Sequence, residues 1–192
     1  MINREFHKTK KDIQSELDEI EVAKRDSRKF EVLYNRYHEQ IFRYLYSRVD
    51  NKHLASDLTS QVFYKAMLNL ENYTFKGVPF ASWLYRIAFN EMNMYFRKDA
   101  KNRTVNIETE TIGDVFEEIE EEIYVEEKEK LAKILTTLND ERLSLIEMRF
   151  FEKKSFKDIA DIMGITENNA KVKVYRTLDK IKKNFNIRHE KY

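Results

Sequence analysis

Residues 155–183 read SFKDIADIMGITENNAKVKVYRTLDKIKK, and this stretch decides the fold. Ser155 followed by Asp158 has the Ser/Thr-x-x-acid form of a capping box, which opens a helix by holding an orphan N–H of its first turn. Phe156, Ile159, Ala160 and Met163 then recur at helical spacing and make one apolar stripe. Gly164 is suited to the left-handed conformation that ends a helix, and Thr166 can cap the next. In the second helix Ala170, Val174, Leu178 and Ile181 share a face. Two short helices, a tight turn and a basic second helix describe a helix-turn-helix that reads duplex DNA.

The second helix divides by face. At 100° per residue, the side opposite its apolar stripe carries Asn168, Asn169, Val172, Tyr175 and Arg176, with Lys171 and Lys173 on the flanks. Asn pairs bidentately with adenine, Arg with guanine, and an exposed Val touches a thymine methyl. Flanking lysines suit phosphates, which position a helix without reading sequence. An amphipathic helix pair with solvated charges is the plainer alternative, and an exposed Val172 beside so short a turn fits it less well.

The whole chain, at 192 residues, allows one or two small domains. Three Gly, one Pro and 36% charged residues, with no useful period-2 run, give an all-α expectation. No run of eighteen apolar residues and no cleavable signal pattern is present, so the expectation is a cytoplasmic chain with no membrane partner. The absence of Cys excludes disulfides, thiolate metal sites and thiol redox sensing.

The formal net charge of +1 hides a segregation: residues 1–99 carry +3, residues 100–127 carry −8 and residues 128–192 carry +6. The acidic strip, with Gly113 and the run Glu117-Glu118-Ile119-Glu120-Glu121-Glu122, is the expected linker, because dense like charges extend a chain. Four segments follow: a basic N-terminal arm over 1–16, a helical bundle over 17–99, the linker over 100–127 and the helix-turn-helix domain over 128–192.

Within the bundle, the spacing predicts a short helix through Ile13, Leu17, Ile20 and Ala23. Longer ones follow over about Lys29 to Val49 and Leu54 to Leu70, then a break from Glu71 to Pro79. A last helix runs from Phe80 to about Arg97. Its core face is expected at Phe80, Trp83, Leu84, Ile87 and Met94. Its other side alternates Tyr85, Phe89 and Phe96 with Arg86, Asn93 and Arg97. Rings that stack on bases, interleaved with cations that track phosphate, suit single-stranded nucleic acid; simple burial of an all-round apolar helix is the competing reading.

Three motifs now stand in order. Asp57-Leu58-Thr59-Ser60-Gln61-Val62-Phe63, Phe80-Ala81-Ser82-Trp83-Leu84-Tyr85-Arg86-Ile87-Ala88 with Asn90, and the tail helix-turn-helix together resemble the bacterial RNA polymerase sigma factors. The two-domain extracytoplasmic-function (ECF) group matches best, from about Leu17 to Phe185 with the acidic strip as the break.

The resemblance implies a promoter-specificity subunit that binds core RNA polymerase at the clamp helices of its largest subunit and at its flap region. It also implies recognition of the −35 and −10 promoter elements, DNA melting, and no reaction catalysed by the chain itself. By similarity, Asp57, Ser60, Gln61, Phe63 and Met67 would dock on the clamp. Asn72, Tyr73, Phe75, Lys76, Tyr85, Arg86, Phe89, Asn93 and Arg97 would take the −10 single strand, and Asn168, Asn169, Lys171, Val172, Lys173, Tyr175 and Arg176 the −35 duplex. An anti-sigma factor is a further partner that the resemblance leaves open. The family usually shows Gln-Glu at Ser60-Gln61 and a hydroxyl residue at Val172, so this chain lacks one docking carboxylate and its promoter preference is its own.

The alternative is a helix-turn-helix regulator acting without polymerase, which leaves the helix from Phe80 to Arg97 without a role. A helical enzyme is disfavoured. His7, His38, His53 and His189 are scattered, and there is no metal-ligand spacing, cofactor motif or Gly-rich phosphate loop.

Overall fold

The first helix ends where Asp26 folds back. Its carboxylate accepts from the backbone N–H of Arg28 (3.1 Å) and opens the 3-10 turn Ser27–Lys29. Such a turn satisfies backbone groups that a helix end leaves orphaned, and it redirects the chain. In the computed structural model, which describes residues 10–49, 51–98, 115 and 125–186, α-helices, 3-10 turns and one π-helical turn supply all the regular structure of the described residues. The chain forms two compact units, Met1–Asn102 and Arg103–Tyr192.

The N-terminal unit contains α1 (Lys10–Arg25), α2 (Phe30–Val49), α3 (Lys52–Leu68) and α4 (Phe80–Lys98). Asn51 caps α3 by accepting from Leu54 N at 3.0 Å. A 3-10 turn, Leu70–Asn72, and an extended segment with Gly77 at φ +71° then lead into α4. The apolar stripe of α2, with Phe30, Leu33, Tyr37, Ile41, Tyr44 and Leu45 all buried, supplies the middle of the core. Ala55, Leu58, Val62, Phe63 and Ala66 of α3 close it from one side. Each large aliphatic or aromatic side chain removed from water in this way stabilises the unit by about 1.5–3 kcal/mol.

Two features differ from the sequence expectation. α1 begins at Lys10, well inside the stretch read as an N-terminal arm, and Glu16 within it is buried (3% exposed). In α4 the core face is rotated. Ala81, Leu84, Tyr85, Ala88, Met92 and Phe96 point inward, whereas Met94 is exposed and Trp83 and Ile87 are half-buried. Tyr85 meets Tyr44 at a tilt (centroids 5.0 Å apart, planes at 57°), and Phe96 lies under the Arg48 guanidinium (5.7 Å). These α2 partners select which aromatic residues of α4 turn inward.

The C-terminal unit contains α5 (Val125–Thr136), α6 (Asp140–Ile146, capped by Asn139), one π-helical turn over Glu147–Phe151, α7 (Phe156–Met163) and α8 (Glu167–Asn186). Leu131, Ile134, Leu135, Leu143, Ile146, Ile159, Ile162, Val174, Leu178 and Ile181 form its core. Both halves of the capping box at Ser155 and Asp158 are made, and Gly164 sits at φ +68° as the left-handed cap of α7. Lys153, just before the box, also has a left-handed backbone (φ +50°). Burial pushes its ammonium pKa down. The first nine residues and nearly all of the acidic linker, with the run Glu117–Glu122, lie outside the described residues, as do His7 and His189.

Candidate nucleic-acid and polymerase interfaces

On α8 the backbone period does the sorting. Ala170, Val174, Leu178, Ile181 and Phe185 are buried, while Asn168, Asn169, Lys171, Val172, Tyr175 and Arg176 are exposed. Thr166 accepts from Asn169 N (3.3 Å), so the helix starts with its two Asn side chains at its open end. The first turn of a recognition helix is the part that reaches base edges. Tyr175 is held on one side by Phe156 of α7 (6.2 Å), and Arg149 stacks over the same Phe156 ring (4.6 Å). Lys173 is different from its neighbours: it is half-buried and ion-paired with Glu141 of α6.

In the N-terminal unit α3 shows two faces. Its outward face carries Asp57, Ser60, Gln61 and Met67, and it includes Tyr64 and Leu68, each 59% exposed. Phe63 does not belong to that face. It is 4% exposed and meets Phe30 (6.4 Å) and Tyr34 (4.9 Å) edge-on, so it is a core residue and not a docking one. The sequence reading missed Tyr64 and Leu68. Extending the Asp57–Gln61 step by three and then four residues reaches both.

The −10 set divides in the same way. Asn72, Phe75, Lys76 and Arg97 are exposed, and Arg86, Phe89 and Asn93 are half-buried. Tyr85 is fully buried and Tyr73 nearly so (7% exposed), so neither ring offers a face to an incoming base. Tyr73 instead packs on Phe80 and Trp83, at 5.1 Å from each.

Trp83, which the sequence placed in the core, lines an opening together with Asn72 of that set. A cavity of about 380 Å³ is bordered by Trp83, Ile87, Asn90 and Glu91 of α4, Lys65 of α3, and Asn69 and Asn72 beyond it. In its wall Lys65 Nζ donates to Glu91 Oε1 at 2.6 Å. One step round α4 from Trp83 and Asn90 lie Arg86, Asn93 and Arg97. The arrangement sets an aromatic wall, three amides and a charge pair beside a row containing two arginines.

Residues 33–102 match the family model for sigma-70 region 2, and residues 128–181 match that for sigma-70 region 4. The chain is 29% identical over 156 residues to the ECF RNA polymerase sigma factor SigM of Bacillus subtilis, spanning 80% of this chain and 93% of that protein. It is 30% identical over 166 residues to the RNA polymerase sigma factor YlaC of the same organism, spanning 83% and 92%. The chain belongs to the ECF group of RNA polymerase sigma factors.

A sigma factor of this group binds core RNA polymerase and recognises promoter DNA, and sigma factors initiate transcription without catalysing a reaction themselves. Similarity extends to the ECF sigma factor BldN of Streptomyces coelicolor, at 28% identity over 148 residues covering 76% of this chain and 56% of BldN. The fold is shared with CnrH, solved in complex with the cytosolic domain of CnrY, at a TM-score of 0.57 and 17% identity over 85% of this chain and 92% of that one. A regulator acting without polymerase would need only the C-terminal unit and leaves the region 2 match unexplained. Among the described residues no helix is long and apolar enough to cross a membrane.

Proposed function

We propose that this sigma factor holds a promoter at two points, with α8 on the −35 duplex and the N-terminal unit opening the −10 element. The observation that carries the second half is the cavity beside Trp83. A base turned out of the stack needs an aromatic wall and polar groups for its edge. Trp83 supplies the wall, and Asn69, Asn72 and Asn90 supply donors and acceptors. Arg86 and Arg97 line the neighbouring face for the strand's phosphates, and Phe75 and Lys76 stand exposed on the approach.

On α8, Asn168, Asn169, Val172 and Arg176 are proposed to read base edges, with Tyr175 beside them and Lys171 on phosphate. The outward face of α3, from Asp57 and Gln61 to Tyr64 and Leu68, is proposed to dock on the clamp helices of the polymerase. An anti-sigma factor would act by covering that same face, and the site of action is the cytoplasm, where polymerase works.

The reading is tested by reconstitution with purified core polymerase. The expected result is a stable complex, promoter-specific initiation, and cross-linking of a photoreactive base in the −10 non-template strand to Trp83 or Asn90. Cross-links confined to the C-terminal unit would reject the proposed −10 site.

A further inference from the structure

The −10 segment is short and exposed, and both of its ends are tied to a helix that precedes the sigma-70 region 2 match at residue 33. Thr74, Phe75, Lys76 and Gly77 are exposed between the buried Tyr73 and Val78. At the first end, Lys24 Nζ of α1 donates to the carbonyl oxygen of Tyr73 at 3.0 Å, across 49 residues of sequence. Glu21 holds the same ammonium at 2.8 Å.

At the second end, the backbone N–H of Phe80, the first residue of α4, donates to Glu16 Oε2 at 3.4 Å, across 64 residues. The first N–H groups of a helix have no partner within it, and the N-terminal positive end of the helix favours a carboxylate. Pro79, just before, has no N–H to offer. Glu16 therefore caps α4 from a distance.

Glu16 is itself fixed. The Tyr37 hydroxyl of α2 donates to its other oxygen, and Arg36 stands 3.7 Å from it. Burial, and the Glu16 carboxylate next, push the Tyr37 pKa up, so the phenol keeps its proton and its role as donor. Arg36 is held in turn by Glu19 at 2.6 Å. Lys24 and Glu16 lie eight residues apart on α1 and grip the loop where it leaves the 3-10 turn and where it enters α4.

We propose that α1 is a clamp that fixes both ends of the −10 loop, making Lys24 and Glu16 positioning residues for single-strand capture. A loop with fixed ends has less conformational freedom to lose when it closes on DNA, so binding strengthens without any added contact to the strand. Both residues act on backbone groups at the ends of the loop, Lys24 on the Tyr73 carbonyl and Glu16 on the Phe80 N–H, and both belong to α1, not to the docking row on α3. The proposal rests on the assignment of the −10 strand to this loop and the Trp83 cavity, and the test separates the two.

The experiment uses the full chain assembled with core polymerase and a fluorescent single-stranded −10 oligonucleotide, alongside duplex −35 DNA. Lys24→Met and Glu16→Gln are expected to weaken oligonucleotide binding by about fivefold or more, as a charged hydrogen bond to the backbone is lost or weakened. Polymerase affinity and −35 duplex affinity should stay as in the wild type. Lys24→Arg, which restores a cationic donor, should recover most of the binding.

Phe75→Ala, at the exposed tip of the loop, is the reference. If Phe75→Ala weakens the oligonucleotide while Lys24→Met leaves it unchanged, the clamp is rejected and the −10 assignment stands. If Phe75→Ala and Trp83→Leu both bind normally, the assignment itself fails and the clamp with it. Should Glu16→Gln lower the melting temperature, the comparison of Lys24→Met with Lys24→Arg decides. Equal losses in that pair, or a matching loss on −35 duplex, would contradict positioning.

Discussion

Lys171 and Lys173 are two residues apart on α8, yet of the two only Lys171 is exposed, and Lys173 is half-buried and ion-paired with Glu141. A lysine that neutralises one phosphate contributes about 0.9 to the slope of log affinity against log salt, and raising salt from 50 to 200 mM erases about 3.5-fold of affinity per contact. Lys171→Ala should remove that whole increment. Lys173→Ala should remove less, since Glu141 competes with the phosphate for the same ammonium. Glu141→Gln releases Lys173, so it is expected to tighten −35 duplex binding at low salt and to steepen the slope by up to about 0.9.

Stability should hardly move. A pair exposed to this degree, 34% and 48%, is worth about 0–1 kcal/mol after screening by solvent. The assay is fluorescence anisotropy on duplex DNA carrying the −35 element, from 50 to 300 mM salt, with thermal melting as the control. A wild-type slope in Glu141→Gln, with equal losses of affinity in Lys171→Ala and Lys173→Ala, would show that Glu141 does not hold Lys173 away from phosphate.

Three further outcomes follow from the packing. Gly164→Ala places a Cβ in open space but at φ +68°, so its cost is backbone strain of about 1–2 kcal/mol, seen as a lower melting temperature of the C-terminal unit. Phe63→Ala should destabilise the N-terminal unit by about 3–5 kcal/mol as a core cavity, whereas Tyr64→Ala should leave melting unchanged and weaken polymerase binding. The Tyr37 phenol, with its pKa raised in the folded state, keeps its proton where an unfolded tyrosine loses it. Its contribution to stability is therefore full below about pH 10 and declines as pH rises above that. Urea titrations from pH 8 to 11 should show this decline flattened in Tyr37→Phe.

The helix-turn-helix was legible because its signals are local. Ser155, Asp158, Gly164 and Thr166 act within a few residues of themselves, and one apolar stripe orients α8. α4 was legible as a helix, and only part of its facing was. Trp83, Tyr85, Phe89 and Phe96 are all large and aromatic, so periodicity alone does not choose among them. The choice is made by Tyr44 and Arg48 of α2, far away in sequence. Phe63 was misread for a related reason, since Phe30 and Tyr34 draw it inward. The two ties from α1 to the loop span 49 and 64 residues and join a lysine and a glutamate that carry no local pattern. The π-helical turn at Glu147–Phe151 likewise has no signature in spacing.

DNA opening is proposed to depend on the cavity beside Trp83, and duplex recognition on α8. This division is tested most directly by permanganate mapping of promoter thymines in complexes of core polymerase with wild type or with Trp83→Leu, a change that keeps apolar bulk against Tyr73 and Phe80. Reactive thymines are expected across the −10 element with the wild type. With the variant, an intact −35 footprint and loss of most of that reactivity are expected, because stacking of this kind is worth about 1–3 kcal/mol per base. Wild-type reactivity in a Trp83→Leu complex would contradict the role of the cavity.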